Sequence, residues 1–288
     1  MLPGMKSKRM VAIVGAGNLA SALAISLHAV GYTIEAVVGR SRSASPARAR
    51  NLAKVVGAHA RTSLPRNLQA SAIWFCVPDS EIHKAAGAVA DKMDWSGRIA
   101  LHPSGVLTSD ELDELRRRGA AVASVHPMMT FVRGSRPRLI GVPFAVEGDA
   151  AAVQAAQRMV KDLGGRAYAI RKVDKAAYHA WGTFASPLFT ALLATAEHVA
   201  RAAGVPAKEA RGRMIPILRQ TLENYASFGA AAGFSGPIIR GDVDTVKRHL
   251  HVLRAMPRVC EVYRALALAA IDYLPGKKKT ALRRLLKS

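Results

Sequence analysis

Short apolar segments alternate with longer segments of helical periodicity up to about residue 172. This alternation predicts βα units and a mainly parallel sheet. Most of the apolar segments lack strict alternation of apolar and polar positions, which indicates strands covered by helices on both faces. The predicted strands are Met10–Val14, Thr33–Val38, 72–77, 98–102, 121–125, 142–147 and 166–170.

The pattern changes after Val173, where long stretches rich in Ala and Leu have helical spacing and no strand-like segment follows. The sequence therefore predicts an α/β domain at residues 1–172 and an all-helical domain at residues 173–288. In the first long helix of the second domain, apolar residues recur at three- and four-residue steps, so one face is expected to be buried. These residues are Trp181, Phe184, Leu188 and Leu192.

The segment GAGNLA, from Gly15 to Ala20, lies between the first predicted strand and a helix. It has the GxGxxA form that opens the Rossmann fold, a doubly wound and mainly parallel α/β fold. Gly15 permits the tight turn, and Gly17 lets the backbone approach a pyrophosphate, which the free N–H groups of the helix N-terminus then bind. We therefore predict a dinucleotide site that includes Gly15, Gly17, Asn18 and Leu19.

The residues after the second strand distinguish NAD from NADP, because an acidic side chain there binds a ribose hydroxyl and a basic one binds a phosphate. Glu35 lies near the start of that strand, a strand's length from the end where ligands bind, and we exclude it. Arg40, Ser41 and Arg42 follow the strand without a carboxylate among them and suit a phosphate dianion. The sequence favours NADP as the cofactor, and a solvated basic turn is the alternative.

Two further strand ends are expected to line the nicotinamide half of this site. Val77 and Pro78 end the predicted strand after the glycine turn, and His102 ends the next one. Ligands of open α/β sheets bind outside the carboxyl ends of the strands. Asp79 belongs to the same edge, where capping the following helix is an equally good interpretation.

The chain of 288 residues has 42 basic and 20 acidic residues, a formal net charge of +22. Such a charge indicates anionic partners, which include nucleic acid, membrane surfaces and phosphorylated ligands. Most basic residues are scattered, and the basic clusters contain no interleaved aromatics, so the pattern does not favour nucleic acid. The densest basic segment is a tail with Lys277, Lys278, Lys279, Arg283, Arg284 and Lys287.

Cysteine usage and the apolar segments bear on location. Cys76 and Cys260 lie far apart inside apolar segments, which is typical of buried thiols in a reducing compartment. No apolar run approaches the roughly 18 to 20 residues that span a bilayer. We expect a cytoplasmic protein without a membrane partner.

Four motifs carry a resemblance to a known family: GAGNLA with the following Gly39 to Arg42, HPSG at His102, HPMMTF at His126, and SGPIIRGD at Ser235. With them the chain resembles oxidoreductases that combine a Rossmann-like domain with a helical domain of unknown function, number 2520. Pyrroline-5-carboxylate reductase and ketopantoate reductase belong to the wider group. The resemblance implies a homodimer. Pro187 departs from the pattern, because we expect an Asn at that position.

A second resemblance concerns mechanism. In prephenate dehydrogenases, a Ser near the end of one strand and a His-Pro at the end of the next flank the carbon that loses hydride. Ser104 and His126 are similar to these residues. The resemblance implies catalytic roles for both, without implying activity on prephenate.

Hydride transfer needs a group that gives or accepts a proton, and histidine suits this near neutral pH. We predict His126 as the acid or base, with Ser104 hydrogen-bonding the substrate oxygen; a structural histidine is the alternative for His126. Lys175 and His179, four residues apart at a helix start and on one face, are further catalytic candidates. Lys175 could bind an anionic substrate group or polarise a carbonyl, and solvated surface is the alternative. We predict no metal site, because no cluster has ligand spacing.

The sequence therefore predicts an NADP-dependent oxidoreductase that transfers hydride to or from a small carbonyl or imine compound bearing a carboxylate. The alternative is a non-catalytic protein that senses NADP(H) or binds a partner through its basic tail.

Overall fold

The computed structural model describes residues 10–39, 45–135 and 137–288. The chain forms two compact units, the first ending at Ser186 and the second beginning at Pro187. The first unit contains the sheet and the second is helical. The fold is the predicted α/β Rossmann architecture followed by a helical region.

The described part of the first unit contains one sheet of eight strands in the order β3-β2-β1-β4-β5-β6-β7-β8. All pairs are parallel except β6 with β7, which is antiparallel. The strands are β1 (Met10–Val14), β2 (Thr33–Val38), β3 (His59–Arg61), β4 (Ala72–Phe75), β5 (Ile99–His102), β6 (Ala121–Pro127), β7 (Pro143–Gly148) and β8 (Arg166–Ala169).

Seven of these strands are confirmed from the hydrophobic pattern. The missed strand, β3, has three exposed residues and no apolar segment, so it gave no hydrophobic signal. It pairs with the edge of β2 through backbone hydrogen bonds.

Five α-helices of the first unit accompany the sheet: α1 (Asn18–Ala29), α2 (Ser45–Val55), α3 (Ile82–Ala90), α4 (Asp113–Arg116) and α5 (Ala150–Asp162). Val11 and Ile13 of β1 pack in one core with α1, α2 and α5, whereas Ala12 and Val14 pack in a second core with α3 and α4. The apolar strands therefore have helices on both faces, which explains their lack of alternation.

A sixth helix, α6 (Lys175–Thr183), also belongs to the first unit. The sequence pattern predicts it in the second domain, because its composition resembles that of the helices that follow. Its contacts with β6 and with the loop after β5, described below, account for its place beside the sheet. A π-helical turn, Phe184–Leu188, follows and contains Pro187. Proline has no N–H to give to an α-helical ladder, and a wider turn accommodates it.

The second unit contains α7 (Phe189–Ala202), α8 (Ala207–Gly233), α9 (Pro237–Arg240), α10 (Val243–Leu253), α11 (Pro257–Tyr273) and α12 (Lys279–Lys287). Helices α10, α11 and α12 share an apolar core. The basic tail is part of it, because Leu282 and Leu286 of α12 are buried. Asp242 caps α10 by accepting a hydrogen bond from the Thr245 N–H at 3.0 Å.

The sequence predicts that one apolar face of the first long helix is buried, and in the single chain this prediction is wrong for three of its four residues. Trp181, Phe184 and Leu188 are 63 %, 71 % and 46 % exposed. Leu192, the fourth residue of the predicted face, is partly buried, and the Trp181 ring contacts that of Tyr178.

Both cysteines are free and buried, as predicted. Among the described helices, none has the length and apolar character required to cross a bilayer.

Candidate functional site

The glycine turn between β1 and α1 has the geometry of a phosphate cradle. Gly15 has φ +115°, and a Cβ there would lie 2.1 Å from the Cys76 carbonyl oxygen, so glycine is required. The Gly15 N–H donates to the Val38 carbonyl at 2.8 Å, which joins the turn to the end of β2. Around Gly17 the space is open, with no atom within 4 Å of a Cβ built there.

The first turn of α1 leaves its N–H groups available to an anion. It contains no acidic residue, and no side chain caps it at Gly17. Asn18 donates from its amide to the Phe131 carbonyl at 3.2 Å, which connects the helix start to the segment after β6. Leu19 lines a small apolar cavity with Trp74, Pro103 and other residues below the turn. The glycine turn and the free N–H groups of the first turn of α1 fit a dinucleotide pyrophosphate.

Glu35 has a structural partner that explains this acidic residue. Its carboxylate accepts hydrogen bonds from the N–H groups of Gln69 and Ala70, the latter at 2.5 Å. The bonds join β2 to the segment before β4, at the amino end of these strands.

Arg40, Ser41 and Arg42, which we predict to bind the 2'-phosphate, lie outside the described residues.

At the end of β4, Val77 is partly buried and Pro78 is exposed. Asp79 begins a short 3-10 turn and does not cap it, so the capping interpretation is wrong. Instead, its carboxylate accepts a hydrogen bond from the Ser104 hydroxyl at 2.8 Å. The loops after β4 and β5 are thereby joined.

His102, at the end of β5, is fully buried and organises the loop that follows. Its Nε2 lies 2.9 Å from the Thr108 carbonyl oxygen, and its Nδ1 accepts from the Ser104 N–H at 3.2 Å. Burial lowers the pKa of His102 to about 4, so the ring is neutral at pH 7, with the proton on Nε2. Since both ring nitrogens have protein partners, this imidazole supports the loop rather than presenting a free polar group.

Every polar atom of Ser104 has a partner. Its N–H donates to His102, its hydroxyl donates to Asp79, and the same hydroxyl accepts from the Leu107 N–H at 3.0 Å. Its carbonyl accepts from two side chains, those of Lys175 and Ser124. A serine hydroxyl has one proton to donate, so hydrogen-bonding a substrate oxygen would require Ser104 to leave Asp79.

Lys175, at the start of α6, is 1 % exposed. Its Nζ donates to the Ser124 hydroxyl at 2.7 Å and to the Ser104 carbonyl at 3.2 Å. Burial lowers the pKa of Lys175 to about 8, partly offset by the charges of Glu147 and Asp79. The solvated-surface alternative is wrong for Lys175, whose amine joins α6 to the strand ends.

Ser124 and Glu147 are buried polar residues that the sequence analysis missed. They face each other across the β6–β7 pair. The Glu147 carboxylate accepts from the Ser109 N–H at 2.7 Å and from its hydroxyl at 2.8 Å. Both lie inside apolar segments and resembled ordinary strand positions.

His126, near the end of β6, is partly buried. Its Nδ1 lies 3.0 Å from the Tyr178 hydroxyl of α6. Its Nε2 has no hydrogen-bond partner among the described residues. Burial, together with electrostatic interactions with Lys175 and His179, lowers the pKa of His126 to about 4.

His179 is exposed, and its ring centroid lies 6.2 Å from that of His126. The two rings converge on Gly105: a Cβ there would lie 2.6 Å from His179 Cδ2 and 2.8 Å from His126 Nε2. Gly105 therefore makes room for both imidazoles. In the sequence, Gly105 is only the last residue of the HPSG motif, which carries no signal of this packing role.

In the described parts of the chain, no group of three or more potential ligand residues could hold a metal ion.

The sheet order, the glycine turn and the helices on both faces define a Rossmann-type α/β protein with an added helical unit. Residues 3–127 match the family model of a Rossmann-like domain, and residues 142–270 match that of a domain of unknown function, DUF2520. These two domains are the ones that the motifs predicted. A search of curated proteins gave no match.

Solved structures share the fold over nearly the whole chain. A Bacteroides fragilis protein, to which an NADP oxidoreductase activity is assigned by inference, is 20 % identical with a TM-score of 0.76, covering 92 % of this chain and 98 % of its own. An Aspergillus terreus reductive aminase in complex with NADPH and ethyl-5-oxohexanoate is 19 % identical with a TM-score of 0.64, covering 96 % and 98 %. A Coxiella burnetii pyrroline-5-carboxylate reductase is 13 % identical with a TM-score of 0.59, covering 96 % and 97 %. At these identities the similarity shows the fold.

Proposed function

We propose that the protein is an NADP(H)-dependent oxidoreductase that transfers hydride to or from a small carbonyl or imine compound. The observation that carries the proposal is His126, whose Nδ1 is held by Tyr178 while its Nε2 has no partner among the described residues. It lies near the carboxyl end of β6, in the sheet whose β1 leads into the phosphate cradle. An imidazole with one nitrogen fixed by a hydrogen bond and the other nitrogen free is suited to proton transfer.

The cofactor proposal rests on the cradle and on the neighbours. Gly15, Gly17 and the first turn of α1 would hold the pyrophosphate, and Arg40 and Arg42 the 2'-phosphate. The reductive aminase with the same fold binds NADPH. The bound cofactor would supply or accept the hydride.

The chain's own residues would then handle the proton and hold the site rigid. His126 would give a proton from Nε2 to the substrate nitrogen or oxygen during reduction. The contacts among Lys175, Ser124, Ser104 and Asp79 would hold the loop after β5 in place beside it. Lys175 would act through Ser104, because its amine is buried.

We further propose that the substrate is anionic and bears a carboxylate. His179 is exposed beside His126 and can donate to a carboxylate in this position. A pyrroline-5-carboxylate reductase shares the fold. Because Lys175 is buried, His179 replaces it as the residue that we expect to contact the anionic group.

A substrate screen with NADPH tests this function. Purified protein is mixed with cyclic imines and 2-oxo acids, each with a matched analogue lacking the carboxylate, and NADPH oxidation is followed. Turnover of an imine or ketone that is lost in His126→Ala supports the proposal. Tight NADPH binding without turnover of any compound would support the alternative, a non-catalytic sensor.

We also propose a homodimer built through α8. α8 is interrupted by a kink at Gly229, and it has one buried residue, Ala210, within the single chain. Ile217, Tyr225 and Phe228 lie within one stripe of the helix and are 67 %, 63 % and 66 % exposed. Exposed apolar stripes of this kind mark protein interfaces.

We also propose a cytoplasmic location. The two free, buried thiols support it, because such thiols are typical of a reducing compartment.

A further inference from the structure

The charge state of His126 creates a problem for its role as an acid. Burial and the neighbouring positive charge of Lys175 keep the ring neutral at pH 7. An imidazolium can give up a proton and become neutral, but a neutral imidazole that gives up Nε2–H would become an unstable anion. A neutral ring can act as an acid only if Nδ1 gains a proton in the same step.

Tyr178 is placed to deliver that proton. Its hydroxyl lies 3.0 Å from Nδ1, and the two rings meet edge to face with centroids 5.5 Å apart. Tyr178 is 8 % exposed, so its hydroxyl proton requires a protein acceptor. Burial and the hydroxyl of Tyr168 raise the pKa of Tyr178 above its usual range, which keeps it protonated.

Tyr168 continues the path outward. Its ring lies edge to face against that of Tyr178 with centroids 6.2 Å apart, and its hydroxyl is near enough to raise the pKa of Tyr178. Tyr168, on β8, is 36 % exposed and can exchange its proton with water. The three side chains therefore lead from a partly buried imidazole to a residue in contact with solvent.

We propose that His126, Tyr178 and Tyr168 form a proton relay that lets a neutral histidine act as the acid of the reaction. This inference rests on the proposed reductase function. Tyr178 holds the ring in the tautomer with the proton on Nε2, and Tyr168 connects it to water.

The transfer balances in protons. As the substrate carbon gains hydride, the bond from Nε2 to hydrogen breaks and the proton goes to the substrate nitrogen or oxygen. Nδ1 takes the Tyr178 proton, Tyr178 takes that of Tyr168, and Tyr168 takes one from water. After product release, Nε2 takes a proton from water and the relay returns one outward. Each turnover consumes one proton.

The groups facing His126 favour this route over a charged ring. The amine of Lys175 on α6 adds a positive charge, the imidazole of His179 lies beside the His126 ring, and Gly105, from the loop after β5, offers no side chain. A transfer through neutral groups avoids placing a second cation beside Lys175.

Nitrogen-15 NMR of the histidine rings tests the arrangement without any turnover. The His126 signals are assigned by their loss in His126→Gln. We expect Nε2 protonated and Nδ1 bare at pH 7 in the wild type, and a mixture of tautomers in Tyr178→Phe. A proton on Nδ1 in the wild type, or an unchanged tautomer in Tyr178→Phe, would overturn the proposal.

A second variant covers the case in which Tyr178→Phe does not fold. Tyr168→Phe keeps the aromatic ring at a partly exposed position and removes only the outer hydroxyl. With a substrate found in the screen, we expect single-turnover hydride transfer to slow roughly tenfold at unchanged NADPH affinity. The rate is also measured as a function of the D2O fraction of the solvent. We expect a curved dependence in the wild type, where several protons move in the same step, and a linear dependence in Tyr168→Phe.

Tyr273→Phe is the control, because Tyr273 is 85 % exposed on α11. An unchanged rate and a curved dependence in Tyr168→Phe would overturn the outer part of the relay. If no compound is turned over, the proposed function fails, whereas the tautomer measurement still decides whether Tyr178 donates to His126.

Discussion

The amine of Lys175 donates to the hydroxyl of Ser124 at 2.7 Å, across 51 residues of sequence. The bond joins the start of α6 to β6, and the same two groups donate to the Ser104 carbonyl. A buried cation therefore holds the loop that supports His126 through Gly105. The arrangement links the stability of the first unit to pH.

Lys175→Met should remove a pH dependence of stability. The pKa of Lys175 is about 8 in the folded chain and 10.5 when unperturbed, so the unfolded chain binds more protons between these values. Stability should therefore rise with pH in this window in the wild type, by up to about 3 kcal/mol relative to the variant. Urea unfolding at a series of pH values measures the difference. Parallel curves for the two proteins would contradict the assignment.

Gly105→Ala should disturb both imidazoles. A Cβ there would lie within 3 Å of His126 and His179, so a ring must move, at a cost of roughly 1 to 3 kcal/mol. We expect a large loss of activity at unchanged NADPH affinity, because the His126 imidazole must move from its place beside Tyr178. Gly87→Ala is the control, with nothing within 4 Å of its Cβ. Equal activity of the two single variants would argue against this packing.

His126→Asn should abolish proton transfer and leave the cofactor site intact. We expect hydride transfer to slow by roughly 100-fold or more, with NADPH affinity unchanged. Stopped-flow kinetics and NADPH fluorescence titration measure the two quantities. His83→Ala, at an exposed position on α3, is the matched control. A variant that retains full activity would exclude the catalytic role.

Arg40→Ala with Arg42→Ala should weaken NADPH selectively. Loss of charge-assisted bonds to the 2'-phosphate should cost about 2 to 3 kcal/mol, or tens-fold in Kd, while NADH affinity changes little. Calorimetric titration with both cofactors measures this, and Arg50→Ala, exposed on α2, is the control. Equal weakening of NADPH and NADH would show that these residues do not bind the 2'-phosphate.

Tyr225→Asp with Phe228→Asp should separate the proposed dimer. Both side chains are largely exposed on α8, and carboxylates cannot be buried there without partners. Sedimentation should show monomers for this variant and dimers for the wild type. Val173→Asp, at a residue 80 % exposed in the first unit, should leave the dimer intact. Monomeric wild-type protein would refute the proposal.

The sequence by itself determined the elements and the cofactor turn. Hydrophobic runs locate strands such as Met10–Val14 because a strand buried on both faces must be apolar along its length. The spacing of Gly15 and Gly17 predicts the phosphate cradle because the turn is local, and its requirement for glycine follows from backbone conformation alone.

Tertiary structure decided the interior of the site. Lys175 resembled a surface lysine, since only packing against residues 51 and 71 positions away shows its burial. The engagement of the Ser104 hydroxyl by Asp79 and the bond from Tyr178 to His126 also join distant parts of the chain. Such contacts leave no periodic trace in sequence, because they depend on which strand ends and helix starts the fold brings together.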